Sequence, residues 1–327
     1  MNEKYGVRDY DIQQDLEQIY DLVEVGYAED FDRIGREIRR GMDRERRVVA
    51  ALRLLGRVFP ALRDLSPGFV WETEGRIVSF VHFARVGLAG DRWSIESVVT
   101  HPDARRRGHA RELVTRSVEA IRERGGGTVT LKVRADNDPA YRLYRDLGFV
   151  HYDTTVQLRR STPSGEPSNP AISPRRIRHR AWYGDWKRRH RLALRETPDA
   201  VQEIVAVSEH EHRRPAFARL LAPAFIRLSG RRIERWIVEE GGELLGTLSV
   251  DGDATGTRTH EFELHTDPSV EATWAAPLTD RALASLAALP PTTILVETRA
   301  SNVDTLRALE ERGFAAVNTW HALGLRL

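Results

Sequence analysis

An internal repeat limits the folds that are open to this chain. Residues 134–149 read RADNDPAYRLYRDLGF, and residues 299–314 read RASNVDTLRALEERGF, at a constant offset of 165. Six of the sixteen positions are identical, where chance would give roughly one. An apolar strand pattern precedes each copy and another follows it. We therefore predict two tandem copies of one α/β domain, each a twisted mixed β-sheet flanked by helices.

A segment of linker composition separates the two copies. Residues 161–174, STPSGEPSNPAISP, place four prolines among serine, glycine and asparagine, which is typical of connections between domains. The sequence thus predicts an N-terminal domain over 1–160, a linker over 161–174 and a C-terminal domain over 175–327.

The composition excludes several classes of protein. With 41% hydrophobic and 30% charged residues, the chain is globular rather than disordered. The absence of cysteine excludes disulfides, thiolate metal sites and a cysteine nucleophile. No apolar run reaches membrane-spanning length and the polar N-terminus has no signal-peptide pattern, so a cytoplasmic protein without a membrane partner is expected. A net charge of +2 does not favour nucleic acid as a partner.

The N-terminal copy shows a clear alternation of strand and helix patterns. We expect Asp138 to cap a helix that begins with Pro139 and ends at Gly148. The other predicted elements are a strand at 7–10, a helix at 11–26, one or two helices within 31–64, two strands within 68–87, a strand at 93–100, a helix from 110 to the glycines at 125–127, a strand at 129–133 and a last strand ending near 158.

The segment HPDARRRGHARELV, residues 101–114, connects a strand to a helix. The first turn of a helix exposes unpaired N–H groups and the positive end of the dipole, and a glycine there lets the backbone approach an anion. The three arginines before Gly108 add positive charge. The segment therefore predicts a phosphate or pyrophosphate site, and a solvated arginine loop with a turn glycine is the alternative.

The order of these motifs resembles the GNAT N-acetyltransferase superfamily. The loop Arg105–Ala110 fits that family's Q/R-x-x-G-x-G/A signature, and the resemblance extends over residues 68 to 158. The later segment of the family is matched by Asn137, Ala140, Tyr144, Gly148 and Phe149.

The resemblance implies that acetyl-CoA binds as cosubstrate, without a metal. The loop amides would hold the pyrophosphate, the end of the preceding strand would hydrogen-bond the pantetheine like an added strand, and Asn137 would meet the pantetheine arm. The implied cofactor-binding residues are Val98, Val99, Thr100, Arg105, Arg106, Arg107, Gly108, His109, Ala110, Asn137, Ala140 and Tyr144.

Acyl transfer to an amine needs a base for the ammonium and an acid for the departing thiolate. The resemblance assigns the acid to Tyr144; from periodicity alone this tyrosine is a core residue of its helix.

Glu96 is the candidate base, because a carboxylate in an apolar strand can have a raised pKa. The alternative interpretation is that Glu96 lies at an edge or in a cleft and pairs with an arginine. On this strand, alternation would place Trp93, Ile95, Ser97 and Val99 on one face.

The second copy keeps the scaffold and lacks the proposed chemistry. When Pro102 is aligned with Pro268, Trp274 takes the position of Gly108 and Glu271 that of the first loop arginine. Leu309 stands where the first copy has Tyr144. We therefore predict that the C-terminal domain does not bind acetyl-CoA productively.

Two further segments carry weaker signals. Residues 174–195 hold nine lysines and arginines with interleaved aromatic residues, and could contact nucleic acid; a strand and a basic surface helix is the favoured interpretation. In SEHEHRRP, residues 208–215, the two histidines are two positions apart, so they would point to different faces of a helix and do not predict a metal site.

The sequence thus predicts an acetyl-CoA-dependent N-acetyltransferase, whose N-terminal domain transfers the acetyl group to a primary amine in a ternary complex. The acceptor would be a small molecule or a peptide amine, and a homodimer is compatible with the resemblance. Two alternatives stay open. One is an acyltransferase of the same fold that uses another acyl group or a hydroxyl acceptor, and the other is a non-catalytic CoA-sensing or nucleic-acid-binding module.

Overall fold

The computed structural model describes residues 6–11, 14–26, 67–86, 90–161, 177–179, 185–209 and 230–327. The helices predicted within 31–64, the linker after residue 161 and most of the segment 208–215 lie outside these residues. The chain divides into two compact units. Unit 1 comprises residues 1–132, 139–150 and 323–327, and unit 2 comprises residues 133–138 and 151–322.

Unit 1 is built on a mixed sheet. Strands β1, β2, β3 and β4 pair antiparallel in that order, and β4 pairs parallel with β5. Its elements are β1 Gly6–Asp9, α1 Leu16–Gly26, β2 Gly68–Thr73, β3 Arg76–Arg85, β4 Arg92–Thr100, a 3-10 turn Pro102–Ala104, α2 His109–Glu123, β5 Thr128–Arg134 and α3 Asp138–Asp146, of which β5 and α3 have some residues in unit 2.

Unit 2 repeats this plan. Strands β7 to β10 pair antiparallel in order, β10 pairs parallel with β11, and β11 pairs antiparallel with β6. The mixed α/β fold class is therefore confirmed. The elements are β6 Val150–Ser161, β7 Ile177–His179, α4 Trp186–Glu196, α5 Asp199–Gln202, β8 Arg231–Glu240, β9 Glu243–Asp253, β10 His260–Thr266, a 3-10 turn Pro268–Val270, α6 Glu271–Leu286, β11 Thr293–Arg299, α7 Val303–Glu310 and β12 Ala315–Arg326, of which β6 and β12 have some residues in unit 1.

The repeat predicted from the sequence has the same main-chain details in both copies. The N–H of Phe149 donates to the carbonyl of Tyr144 at 3.0 Å, and the N–H of Phe314 donates to that of Leu309 at 3.1 Å. The glycines before these phenylalanines, Gly148 and Gly313, have φ angles of 88° and 79°. Such left-handed residues end helices with little strain only when they are glycine.

Each unit contains chain from the other sequence repeat. Strand β6 follows the first copy of the repeat, yet it belongs to unit 2 and pairs with β11 along seven residue pairs, from Thr155–Arg299 to Ser161–Thr293. This pairing carries β6 past the predicted end near Leu158. The last five residues of the chain belong to unit 1, where the N–H of Leu327 donates to the carbonyl of Gly127 at 3.0 Å.

Helix α1 begins later than predicted, because residues before it form a turn. The buried carboxylate of Asp15 accepts hydrogen bonds from the guanidinium of Arg8 at 2.7 and 2.8 Å and from the N–H of Asp11 at 2.8 Å. This carboxylate competes with the helix for the backbone, so the helix starts at Leu16 instead of Asp11.

The apolar face of α1 packs on β3 and β4. Ile19 and Leu22 form a buried cluster with strand residues that include Phe80 and Val99. At the end of the helix, a Cβ atom on Gly26 would lie 2.2 Å from Cγ2 of Val99. Gly26 therefore allows the close approach of α1 to β4, the strand that leads into the loop of residues 105–108, which we call the arginine loop.

We expect Gly26→Ala to destabilise unit 1 by about 1–3 kcal/mol, since Val99 is a stiff buried side chain that has to move. Thermal denaturation with a fluorescence readout would show the change. Val25→Ala, at an exposed position of the same turn, is the matched control and should alter the free energy of unfolding by less than about 0.5 kcal/mol. Equal stability of the Gly26→Ala and Val25→Ala variants would contradict the close packing at this position.

Candidate active site

The candidate site is built around the second half of strand β4. This strand extends to Thr100, but it pairs with β5 only from Arg92–Thr128 to Ile95–Leu131. The parallel ladder therefore ends five residues before β4 does. A main-chain edge that its neighbouring strand does not cover is where an extended ligand adds to a sheet.

A β-bulge lies at the point where this ladder ends. Along β3 and β4, Phe83 is opposite Ile95 and the preceding residue His82 is opposite Ser97, so Glu96 is the extra residue of β4. Bulges redirect side chains and are common beside active sites.

The bulge reverses the alternation of the strand. Before it, Trp93 contacts Phe83 with ring centroids 6.0 Å apart. After it, Val99 belongs to the cluster of Phe80 and helix α1. The prediction that Trp93, Ile95, Ser97 and Val99 share one face is therefore wrong, because one inserted residue shifts all later side chains to the other face.

Glu96 forms a pair with His82, which the sequence analysis did not single out. Nδ1 of His82 lies 3.4 Å from Oε2 of Glu96, and about half of the Glu96 side chain is exposed. The contact with His82 lowers the pKa of Glu96, against the opposing effect of partial burial. The expectation of a raised pKa is thus wrong, because a nearby imidazole stabilises the carboxylate more than desolvation penalises it. Only the cross-strand register, including the bulge, brings this histidine to the site.

The arginine loop after β4 ends at the N-terminus of helix α2. Arg106 and Gly108 have φ angles of 62° and 87°, and Gly108 is the N-cap residue, without a side chain that caps the helix. Left-handed residues in such a loop turn successive N–H groups toward a common side, and the helix dipole adds positive potential. A Cβ on Gly108 would meet no atom within 4 Å, so the glycine is needed for its φ angle and the space above it is open.

The three arginines of the loop have different surroundings. Arg105 donates from Nε to the carbonyl of Thr100 at 3.3 Å and from Nη2 to that of Gly26 at 3.1 Å, so it fastens the loop to the ends of β4 and α1. Arg106 and Arg107 are exposed. These two guanidinium groups are the ones placed to attract an anion toward the helix N-terminus.

His109, the first residue of α2, turns toward strand β2. Its ring stacks on Trp71 with centroids 4.2 Å apart, and burial, together with the charge of Arg107, lowers its pKa. Its buried Nδ1 has no hydrogen-bond partner among the described residues. Trp71, Arg107 and Gly108 line an open pocket of about 390 Å³ beside it.

Helix α3 carries the candidate acid. Tyr144 is 6% exposed, and its ring packs edge-to-face on Phe149 at 6.0 Å. A hydrogen bond of 2.8 Å from Arg111 in the first turns of α2 to Asp146 joins the two helices. Tyr144 therefore lies on a helix that is held against the start of α2. Ala140 is half-buried on the same helix, and Asn137 is exposed in the turn before it.

The corresponding segment of unit 2 has a different structure. The 3-10 turns Pro102–Ala104 and Pro268–Val270 are equivalent, but helix α6 begins directly after its turn, at Glu271. The counterparts of the loop residues are therefore helical. Glu271 accepts a hydrogen bond from the N–H of Thr305 at 3.0 Å. Trp274 and Leu309, which replace Gly108 and Tyr144, are buried in the core of unit 2.

The bulk of Trp274 alone predicts a ring that blocks close approach to a loop at this position. Trp274 instead has its side chain in the core of unit 2. The apolar residue stabilises helix α6 by burial, and that packing favours helix where unit 1 has a loop.

The basic segment 174–195 contributes the described strand β7 and helix α4. Several of its arginines bind acidic groups of unit 2. Arg188 pairs with Glu239 at 3.1 Å, and Arg195 pairs with Asp267 at 2.5 Å. Within the described ranges, no cluster of three metal-ligating side chains occurs, and no helix is long and apolar enough to span a membrane.

Comparison with known proteins gives matches to acetyltransferases. Residues 26–149 match the family model described as acetyltransferase (GNAT) family. A mycothiol acetyltransferase of Saccharomonospora viridis is 38% identical over 90 residues, which are 26% of this chain and 29% of that protein. An acetyltransferase of Yersinia enterocolitica is 34% identical over 91 residues, 28% of this chain and 62% of that protein. The similar segment thus spans less than two thirds of both relatives.

The fold likeness extends over nearly the whole chain. The crystal structure of a GCN5-related N-acetyltransferase from Sphaerobacter thermophilus is similar with a TM-score of 0.62, over 98% of this chain and 95% of that chain. The sequence identity is 14%, so this likeness concerns the fold alone.

Proposed function

Because residues 26–149 match the model of the acetyltransferase (GNAT) family, we propose that this chain transfers the acetyl group of acetyl-CoA to a primary amine and that unit 1 carries the reaction. One observation carries the proposal. The uncapped N-terminus of α2, with its left-handed Gly108, follows a strand whose ladder with β5 ends early, after a 3-10 turn and a short loop. A diphosphate and an extended amide-containing arm need these two features side by side.

The residues present fit acetyl-CoA by their chemistry. The main chain of the loop, with Arg106 and Arg107, would bind the pyrophosphate. The main chain of Val98, Val99 and Thr100 would hydrogen-bond the pantetheine amides. His109, Ala110, Asn137 and Ala140 complete the proposed binding surface, and Arg105 would act by holding the loop in place.

The proposed reaction is direct attack in a ternary complex. The acceptor ammonium loses a proton, with Glu96 assisting, and the neutral amine attacks the thioester carbonyl. The C–S bond breaks as the C–N bond forms. Tyr144 donates its phenolic proton to the leaving thiolate, which departs as CoA–SH. The second proton that the nitrogen loses as the amide forms passes to solvent, and solvent restores the phenol. An acetylated cysteine is not part of the scheme, since the chain has no cysteine.

Unit 2 is proposed to take no direct part in this reaction. In unit 2, the segment that corresponds to the arginine loop of unit 1 is helical, and the acidic Glu271 is the first residue of helix α6. A carboxylate at this position repels a phosphate. The buried leucine in place of Tyr144 has no proton to donate.

The similarity to a mycothiol acetyltransferase supports a small-molecule acceptor, but does not identify it. The proposal is tested by thiol release from acetyl-CoA, detected with a chromogenic disulfide, in the presence of polyamines, aminoglycosides, amino acids and peptides. The protein itself adds no thiol signal, because it contains no cysteine. Amine-dependent thiol release supports the proposal.

Three other outcomes would replace the proposed function. Release that requires another acyl-CoA or a hydroxyl acceptor indicates a different acyltransferase of the same fold. Thermal stabilisation by acetyl-CoA without turnover on any acceptor indicates a CoA sensor. Salt-dependent retention of DNA without acetyl-CoA binding indicates a nucleic-acid module.

A further inference from the structure

The pair of His82 and Glu96 lies at the bulge of β4, where the ladder with β5 has just ended. His82 is 20% exposed and Glu96 is 51% exposed, with Nδ1 and Oε2 separated by 3.4 Å. A histidine whose Nδ1 faces a carboxylate has a fixed ring orientation and directs Nε2 away from that carboxylate. This is the arrangement in which a carboxylate orients an imidazole for proton transfer.

The carboxylate of this pair is poorly suited to act as the base itself. An efficient base has a pKa near the pH at which the enzyme works. The pKa of Glu96 is lowered from its ordinary value of 4.5 by the contact with His82. The imidazole of His82 has a second ring nitrogen that does not face the carboxylate, and histidine is the side chain that most often serves as a general base.

We propose that His82 is the catalytic base of unit 1 and that Glu96 positions it. This inference rests on the proposed function. Nε2 of His82 takes one proton from the acceptor ammonium, the imidazolium is stabilised by Glu96, and the neutral amine attacks the thioester carbonyl. The proton leaves to solvent after the acetylated product departs. The second proton, which the nitrogen loses as the amide forms, also passes to solvent, and Tyr144 supplies the proton of the departing thiol, so no additional reactant is needed.

The cross-strand neighbours of His82 are not ionisable. Opposite His82 lie Gly68 on β2 and Ser97 on β4, neither of which is ionisable. Besides His82, no ionisable group among the described residues contributes to the shift in the Glu96 pKa. Helix α1 packs on the same strands through apolar residues, and its acidic side chains are exposed: Glu17, Asp21 and Glu24.

The experiment is the pH dependence of kcat/KM, measured by amine-dependent thiol release from pH 5 to 9 with the best amine of the acceptor panel. The wild-type protein should lose activity at low pH, where the base is protonated. His82→Gln should lower kcat/KM about 100-fold at pH 8 and remove this acid limb. Glu96→Gln should lower kcat/KM and keep the limb, since the imidazole loses its positioning partner but not its ability to accept a proton.

Chemical rescue separates proton transfer from a packing role. Imidazole added to His82→Ala should restore activity in proportion to its neutral fraction, while the melting temperature and the stabilisation by acetyl-CoA should stay unchanged. An effect of His82 on packing alone would give no rescue and no change in the pH profile.

Unit 2 provides a matched control pair. His265 on β10 lies 2.9 Å from Glu196 on α4. It therefore forms a histidine–glutamate pair like that of His82 and Glu96, but in the unit that has no arginine loop. His265→Gln should leave the acid limb unchanged; loss of the limb in this variant and its retention in His82→Gln would overturn the assignment to unit 1. Wild-type activity without any acid limb down to pH 5 would assign the base to Glu96 instead.

Failure of the inference differs from failure of the proposed function. If the wild-type protein releases no thiol with any amine, the proposed function is refuted. If it releases thiol and His82→Gln matches it at every pH, the function stands and the role of His82 is refuted.

Discussion

Replacement of Gly108 by valine is expected to weaken acetyl-CoA binding by at least about 30-fold. The φ angle of 87° at this residue is strained for any other residue and most of all for a β-branched one, at a cost of about 1–3 kcal/mol. The loop can relieve this strain only by turning its N–H groups away from the proposed pyrophosphate. Each charge-assisted hydrogen bond lost adds about 1.5–3 kcal/mol, and 1.4 kcal/mol corresponds to a factor of ten in the dissociation constant.

Gly125 at the other end of α2 provides the control for strain alone. Its φ angle is 73°, and a Cβ there would also meet no atom within 4 Å. Gly125→Val should therefore lower the melting temperature in the same way as Gly108→Val, yet leave acetyl-CoA affinity, measured by isothermal titration calorimetry, unchanged. If both variants bind acetyl-CoA as tightly as the wild-type protein, the pyrophosphate site lies elsewhere.

Tyr144→Phe is expected to lower kcat about 100-fold while leaving the KM for acetyl-CoA within about twofold. The substitution removes only the hydroxyl, and the ring keeps its packing on Phe149, so the fold and the binding surface should persist. General acid catalysis contributes about 10²–10⁴ in rate. Because a thiolate is already a stable leaving group, we expect an effect at the low end of this range. Steady-state thiol-release kinetics provide both constants.

The neighbouring Tyr141→Phe tests whether the effect is specific. Tyr141 is half-buried on the same helix and has no role in the proposed chemistry, so its variant should retain the wild-type kcat. Equal rates for Tyr144→Phe and the wild-type protein would reduce Tyr144 to the core residue that its periodicity alone suggests, and a different group would protonate the thiolate.

The elements that follow from local sequence patterns were predicted well. The hairpin of β2 and β3, helix α2 and the glycine that ends α3 all depend on residues within a few positions of each other. The candidate loop was found for the same reason, since its arginines and Gly108 directly precede an amphipathic helix. Gly108 does have the left-handed φ angle of a residue that favours glycine.

The features that the sequence did not reveal depend on contacts between distant residues. The bulge at Glu96 exists only in the pairing of β3 with β4, and it reverses which side chains of β4 face helix α1. The pairing of His82 with Glu96 follows from that register. In unit 2, the packing of Trp274 in the core decides that the loop becomes helix, and the identity of the residue alone does not show this.

The shared strands have a consequence for how this chain can change over evolutionary time. In unit 2 the counterparts of the arginine loop and of Tyr144 are a helix and a buried leucine. The last five residues of the second repeat belong to unit 1, and the last strand of the first repeat pairs with β11 in unit 2. Deletion of either half would remove a piece of the other half's fold. Substitutions at the loop and tyrosine positions of the second repeat are therefore compatible with both units, whereas deletion of its last strand is not.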